Sequence, residues 1–215
     1  MTDFDPNSNE TIKAIFAFSR TQKPCLLCFE EIDNLLNENE NVQKMKQELI
    51  EQLCVDNKNM IIIGTTNVPW KLDVNLIKLF SKKIFFSLPK ENIRLQIVQK
   101  DLSKENIILS NHELEEISKN TELFSFSDLL VLIKSIQMQP IFRVQEAKYF
   151  KKVTGDKWEI CNQDEEGSVE MTFDKLSLES IVMPKVGISD VKSALEKVRA
   201  SLNEDEAKRF EQWLK

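Results

Sequence analysis

Glycine is scarce: the 215 residues hold four, Gly64, Gly155, Gly167 and Gly187. A loop that wraps a phosphate needs glycines so that backbone N–H groups can close on the anion, followed by Lys and Ser or Thr. No glycine precedes residue 64 and none opens a GxxxxGK[ST] pattern, so these residues contain no such loop. Histidine is scarcer, with His112 alone. Of the four cysteines, Cys25, Cys28, Cys54 and Cys161, two form a CxxC, but no second pair or His pair completes a zinc set. Residues three apart on a strand point to opposite faces, so no metal site is expected there. No apolar run approaches the roughly 20 residues of a membrane helix, and the N-terminus lacks a basic-then-apolar signal pattern. The expectation is a cytosolic protein with no membrane span. Positive charge is also in deficit: the net charge of −6 and pI near 5.1 argue against nucleic acid or an anionic membrane as partner.

What is present is a globular composition, 41% hydrophobic and 30% charged, over a length that suits one ordinary domain or one and a half small ones. Ile12, Ile15, Phe16 and Phe18 recur at helical spacing after Asn7 or Ser8, which predicts a helix over residues 7–20. Pro24 stops it. The runs CLLCF (25–29), MIIIG (60–64) and IFFSL (84–88) are too short for helices and apolar on both faces, the pattern of strands buried on two sides in a parallel sheet. With a helix over 42–54 between the first two, the order is that of an α/β layer. Beyond Lys90 the pattern turns helical, over residues 90–103, 111–120 and 126–148, with Pro140 placed to kink the last. Residues 149–173 alternate in short bursts around Thr154-Gly155 and Glu166-Gly167, as a small β element does, with Trp158 and Phe173 as its core. Helices over 188–201, with Ser189 and Asp190 as caps, and 203–214 close the chain.

Strand 25–29 ends in Glu30-Glu31, with Asp33 two residues on. Carboxylates at the C-terminal end of a parallel strand lie where α/β proteins place ligands. An apolar run followed by paired acids is the Walker B arrangement, in which the first acid holds Mg²⁺ and the second polarises the attacking water. At the end of the next strand, GTTNVPW supplies Asn67, suited to sensing a γ-phosphate. FEEID, GTTNVPW, LDVNLIKLFSKKIFFSLP, FSFSDL and QPIFRVQEAKYFKKV together resemble the AAA ATPases of the meiotic clade, and GSVEMTF with RASLNEDE resembles their vacuolar-protein-sorting branch, which disassembles ESCRT-III polymers. The resemblance covers the whole chain but matches only the second half of the family's length.

It implies an α/β fold: a partial AAA (RecA-like) parallel sheet lacking the Walker A strand (residues 1–89), a helical lid (90–148), a small inserted β domain (149–176) and C-terminal helices (177–215). It implies Glu30, Glu31 and Asn67 as Walker B and sensor residues, Asp128 near the nucleotide base, and Phe4 on the first pore loop. It also implies departures. The metal-binding acid is the longer Glu30, and the arginine-finger positions are Ile77, Lys78 and Leu79, where Lys78 offers charge without the planar fork. The base-site turn has become LFSFSD (123–128), and the second pore loop is shortened. ATP and Mg²⁺ are the family's cofactors, yet none is expected for this chain alone. Two readings of activity stay open: a non-hydrolysing interaction subunit, or half of an ATPase completed in trans. Implied partners are AAA paralogue subunits or ESCRT-related proteins, with an assembly cofactor docking on the β domain near Glu165–Val169, at endosomes. The family's sheet places the missing strand between 60–64 and 84–88, so these two must pair directly, leave open edges or receive a strand from another chain.

Overall fold

The computed structural model describes residues 8–36 and 39–213. It divides into two compact units, one made of the residues up to Phe85 with those from Gln212, the other of Phe86–Glu211.

The first unit opens with α1 (Ser8–Thr21), whose Ile12 and Phe16 are buried. Arg20 in its last turn donates to the Gln52 side chain at 2.8 Å and to Asn57 Oδ1 at 3.2 and 3.1 Å. These bonds tie the helix end to the chain ahead of the second strand. Strands β1 (Cys25–Phe29) and β2 (Met60–Gly64) pair in parallel, from Cys25 beside Met60 to Phe29 beside Gly64. A parallel pair needs a crossover, and α2 (Glu40–Cys54) supplies it. Asn39 starts that helix two residues before the expected position by accepting the Asn41 N–H. A short helix follows the second strand, α3 (Val74–Leu79), for which the sequence order implied a place but no bounds; it begins at Asp73, which accepts the Asn75 N–H at 2.8 Å. Lys46 pairs with the same carboxylate at 2.7 Å. The core gathers Ile12, Phe16, Ile32, Leu49, Leu72 and Leu76. Lys83 Nζ lies 5.3 Å from the Trp213 ring centroid within this unit.

Two expectations fail here. Residues 84–88 form no strand, and among the described residues the parallel sheet has two strands. Ile84 and Phe86 are 78% and 89% exposed; an apolar run becomes a strand only where a neighbour accepts its ladder, and none does among the described residues. The strands are also covered on one face rather than two. Leu27, Phe29, Met60 and Ile62 pack on the core, whereas Leu26, Cys28, Ile61 and Ile63 are exposed.

The second unit contains α4 (Glu91–Lys104), α5 (Asn111–Asn120) and α6 (Phe126–Glu146), joined by α7 (Ile188–Lys197) around Val98, Leu102, Ile117, Leu129, Leu132, Ile133, Ile136, Val191 and Ala194. α6 is continuous through Pro140. Strands β3 (Tyr149–Val153), β4 (Lys157–Ile160) and β5 (Ser168–Glu170) form an antiparallel sheet in the order β4-β3-β5. Trp158 and Phe173 pack there against Val144, Phe150 and Ile181, as the sequence suggests. α7 ends four residues earlier than expected and its cap is Gly187, not Ser189 or Asp190. Asp190 instead reaches back to accept the Gly187 N–H at 2.8 Å and the Arg143 guanidinium at 2.9 Å. The early stop has a tertiary cause: Ser201 N–H and Oγ both bond Asp128 Oδ2, which draws 198–203 out of helical geometry. α8 (Glu204–Trp213) follows, boxed by the reciprocal Asn203–Glu206 bonds.

Candidate functional site

The C-terminal ends of β1 and β2 are held together by Thr65. Its N–H donates to Phe29 O at 2.9 Å, its carbonyl accepts the Ile32 N–H at 2.9 Å, and its Oγ1 accepts the Glu31 N–H at 3.1 Å. The turn this creates puts Glu31 at φ +51°, a left-handed conformation that Asn, Asp and Gly adopt readily and a long side chain does not. Glu30, Glu31 and Asn67 are all exposed at this end of the sheet, so the paired acids and the Asn expected from the sequence do share one strand-end surface. Glu31 Oε2 is 3.4 Å from Asn34 Nδ2. Asp33, in the same turn, has Oδ1 buried without a hydrogen-bond partner.

Packing sets the floor of this surface. A Cβ on Gly64 would lie 3.1 Å from both Ile32 Cδ1 and Phe80 Cζ, so glycine is required by close approach rather than by φ. Of the arginine-finger positions, Ile77 packs into the first core, while Lys78 and Leu79 are exposed at the end of α3. Phe4 lies outside the described residues.

Asp128 belongs to the second unit. It is 8% exposed, and its Oδ2 accepts from Ser125 N–H (2.8 Å), Ser125 Oγ (2.8 Å), Ser201 N–H (3.2 Å) and Ser201 Oγ (3.0 Å). Burial pushes its pKa up, but the bonds from Ser125 and Ser201 outweigh that and hold the carboxyl below its ordinary value. That oxygen is therefore engaged in capping α6 and anchoring the residues after α7.

The arrangement can be tested against a nucleotide and Mg²⁺. Two carboxylates and an amide at strand ends are suitable donors, but the anion needs N–H groups wrapped round it, and neither β1 nor β2 opens into a glycine loop. Two surface depressions among the described residues, of about 460 and 290 Å³, are lined by residues such as Glu91, Asn111 and Ser118 or Glu40, Lys44 and Gln47. Neither includes Glu30, Glu31 or Asn67. The residues present do not fit a triphosphate by themselves. The sequence reading missed Thr65 as the clasp; its signal was a hydroxyl directly after the strand-ending glycine, in GTTN.

Comparisons with known proteins bear on the family and the fold. Residues 3–88 match the family "ATPase family associated with various cellular activities (AAA)", and residues 158–215 match the "Vps4 C terminal oligomerisation domain". Human vacuolar protein sorting-associated protein 4A is 30% identical over 218 residues, which cover 93% of this chain and 50% of that protein. The 4B protein of Pongo abelii is 29% identical over 216 residues, covering 92% and 49%. The chain thus spans about half the length of the curated relatives it matches. Among solved structures, the FIGL-1 AAA domain in complex with ADP superposes with a TM-score of 0.71 at 24% identity, over 95% of this chain and 62% of that one. The fold is an α/β AAA fold. The chain is a member of the AAA ATPase family, Vps4-like in carrying the Vps4 C-terminal oligomerisation domain.

Proposed function

We propose that this Vps4-like chain serves ESCRT-III disassembly as a subunit that does not hydrolyse ATP by itself and acts through protein contacts. The observation that carries the reading is a strand-end acid pair, Glu30 and Glu31, beside Asn67 but with no glycine loop in these 215 residues to hold a phosphate. The finger positions support it: Ile77 faces the core, and Lys78 is a point charge in place of a fork that is worth roughly 10³–10⁵ in rate. Glu30, Glu31 and Asn67 are then inherited positions. The Vps4 C-terminal oligomerisation domain at 158–215 favours assembly with AAA subunits, and the β domain formed by β3–β5 is the candidate surface for an assembly cofactor. The setting is the cytosolic face of endosomes; among the described residues no helix is long and apolar enough to cross a membrane.

In a ring of intact paralogues, such a subunit would disable two ATP sites, its own and the one that needs its fingers. The test is a mixed-subunit ATPase assay with an intact vacuolar protein sorting-associated protein 4 from the same organism. Turnover should fall faster than simple dilution as this chain is added. Unchanged turnover at several-fold excess refutes the reading. A second reading, half of an ATPase completed in trans, is favoured by the sheet, whose outer face is apolar and bare.

A further inference from the structure

Ser201 is exposed, yet its hydroxyl is committed. Oγ donates to Asp128 Oδ2 at 3.0 Å, and the Ser201 N–H reaches the same oxygen at 3.2 Å, across 73 residues of sequence. Asp128 is buried and caps α6 together with Ser125. The two bonds from Ser201 hold 198–203, the non-helical join between α7 and α8, against the start of α6. A hydroxyl at the surface of an irregular segment is one that a modifying enzyme can reach.

The residues that follow narrow the class of enzyme. Ser201-Leu202-Asn203 runs into Glu204-Asp205-Glu206. Ser110, Ser125 and Ser193 also have an acid three residues on. Ser110 and Ser125 are helix caps whose hydroxyls accept backbone N–H groups, and Ser193 lies within α7; each would have to give up helix to enter another protein's active site. Of these four, Ser201 alone is followed by three consecutive acids and lies between helices. A kinase with a basic substrate groove selects such a run by charge complementarity.

We propose that Ser201 is a phosphorylation site for a serine kinase of acidic specificity, and that the phosphate releases 198–203 from Asp128. ATP is the co-substrate. A bond forms between Ser201 Oγ and the γ-phosphorus as the bond from that phosphorus to the ADP oxygen breaks; the hydroxyl proton passes to the kinase's own carboxylate, and ADP leaves. The resulting ester oxygen has no proton to donate, so Asp128 Oδ2 loses one of its donors. It faces instead a group carrying about −1.5 to −2 charges at pH 7. Asp128 does not escape by taking up a proton, because the bonds from Ser125 and Ser201 hold its carboxyl below the ordinary value. Glu204, Asp205 and Glu206 add like charge in the following turn, and Lys208 already pairs with Glu204 at 3.6 Å. Repulsion therefore opens the clasp. The segment lies inside the region matched as the oligomerisation domain, so its release alters the surface that region presents. The inference does not depend on whether the chain hydrolyses ATP.

The test treats the folded 215-residue chain with ATP and a casein-type serine kinase. Phosphate is located by mass spectrometry, and amide exchange at Ser201 is read by NMR, corrected with a synthetic phosphopeptide of the same segment. The expected result is near-stoichiometric phosphate on Ser201, lost in Ser201→Ala. Exchange at the Ser201 amide should become about tenfold faster, and phosphatase should restore the slow rate. In Asp128→Asn, which keeps a helix cap and removes the charge, phosphorylation should speed exchange by less than about threefold. The proposal is overturned by absence of phosphate on Ser201, by preferential labelling of Ser110, Ser125 or Ser193, or by unchanged exchange in the phosphorylated parent. Equal acceleration in Asp128→Asn overturns it too, since the charge of Asp128 would then play no part. The parent comparison decides by itself if Asp128→Asn does not fold.

Discussion

Replacing Glu31 by Asn should stabilise the protein. At φ +51° the Glu side chain occupies left-handed geometry that costs L-residues roughly 1–2 kcal/mol, whereas Asn tolerates it. What the substitution removes is small: the 3.4 Å approach to Asn34 joins two exposed side chains and contributes a few tenths of a kcal/mol at most. The backbone bond from the Glu31 N–H to Thr65 Oγ1 is untouched. The net gain is about 0.5–1 kcal/mol. Glu31→Gln keeps the strain and should sit within about 0.5 kcal/mol of the parent, as surface changes usually do. Equilibrium urea unfolding reads the difference; with a slope of about 2 kcal/mol/M, Glu31→Asn should raise the midpoint by about 0.3–0.5 M. A midpoint lowered by a comparable amount would show that Glu31 holds its turn together, and the reasoning would be wrong.

Three further outcomes follow from the same geometry. Gly64→Ala should cost about 1–3 kcal/mol by overpacking, because its Cβ would press on Ile32 and Phe80 at 3.1 Å; Phe80→Leu should recover part of that in a double-mutant comparison. Leu49→Ala, in the buried core, should cost about 2–5 kcal/mol, while Leu26→Ser on the bare face should stay within about 0.5 kcal/mol in the isolated chain, read by the same urea titration. Asp128→Ala should cost about 1–3 kcal/mol at pH 7 through the lost α6 cap and the unpaired Ser201. Because the folded-state carboxyl is held below its ordinary value, that stability is fully present above the unfolded pKa near 3.9 and is lost as pH falls through the folded one. The gap between parent and variant should therefore close below about pH 4.

Where local chemistry decides an element, the sequence was legible. α5 lies at residues 111–120 as its periodicity indicates, because Ser110 and Glu113 close a capping box within four residues. Cys25–Phe29 and Met60–Gly64 are strands as read. Elements fixed by distant partners were not legible. Residues 84–88 have a strand's composition but form no strand among the described residues, and composition carries no information about neighbours. α7 stops early because Ser201 bonds an aspartate 73 residues away. α3 is six residues long and is set by Asp73 with Lys46 of another helix, too short for a periodic signal. At the site, the paired acids and Asn67 stood out by type and position. The Thr65 clasp and the strained Glu31 backbone depend on how two strand ends meet, which spacing alone does not reveal.

The proposed reading requires that these residues do not hold a triphosphate without a phosphate loop supplied from elsewhere. Titrating a fluorescent ATP analogue with Mg²⁺ into the purified 215-residue chain tests it most directly. No saturable signal is expected through the micromolar range, and saturable Mg²⁺-dependent binding at micromolar concentration would contradict the proposal.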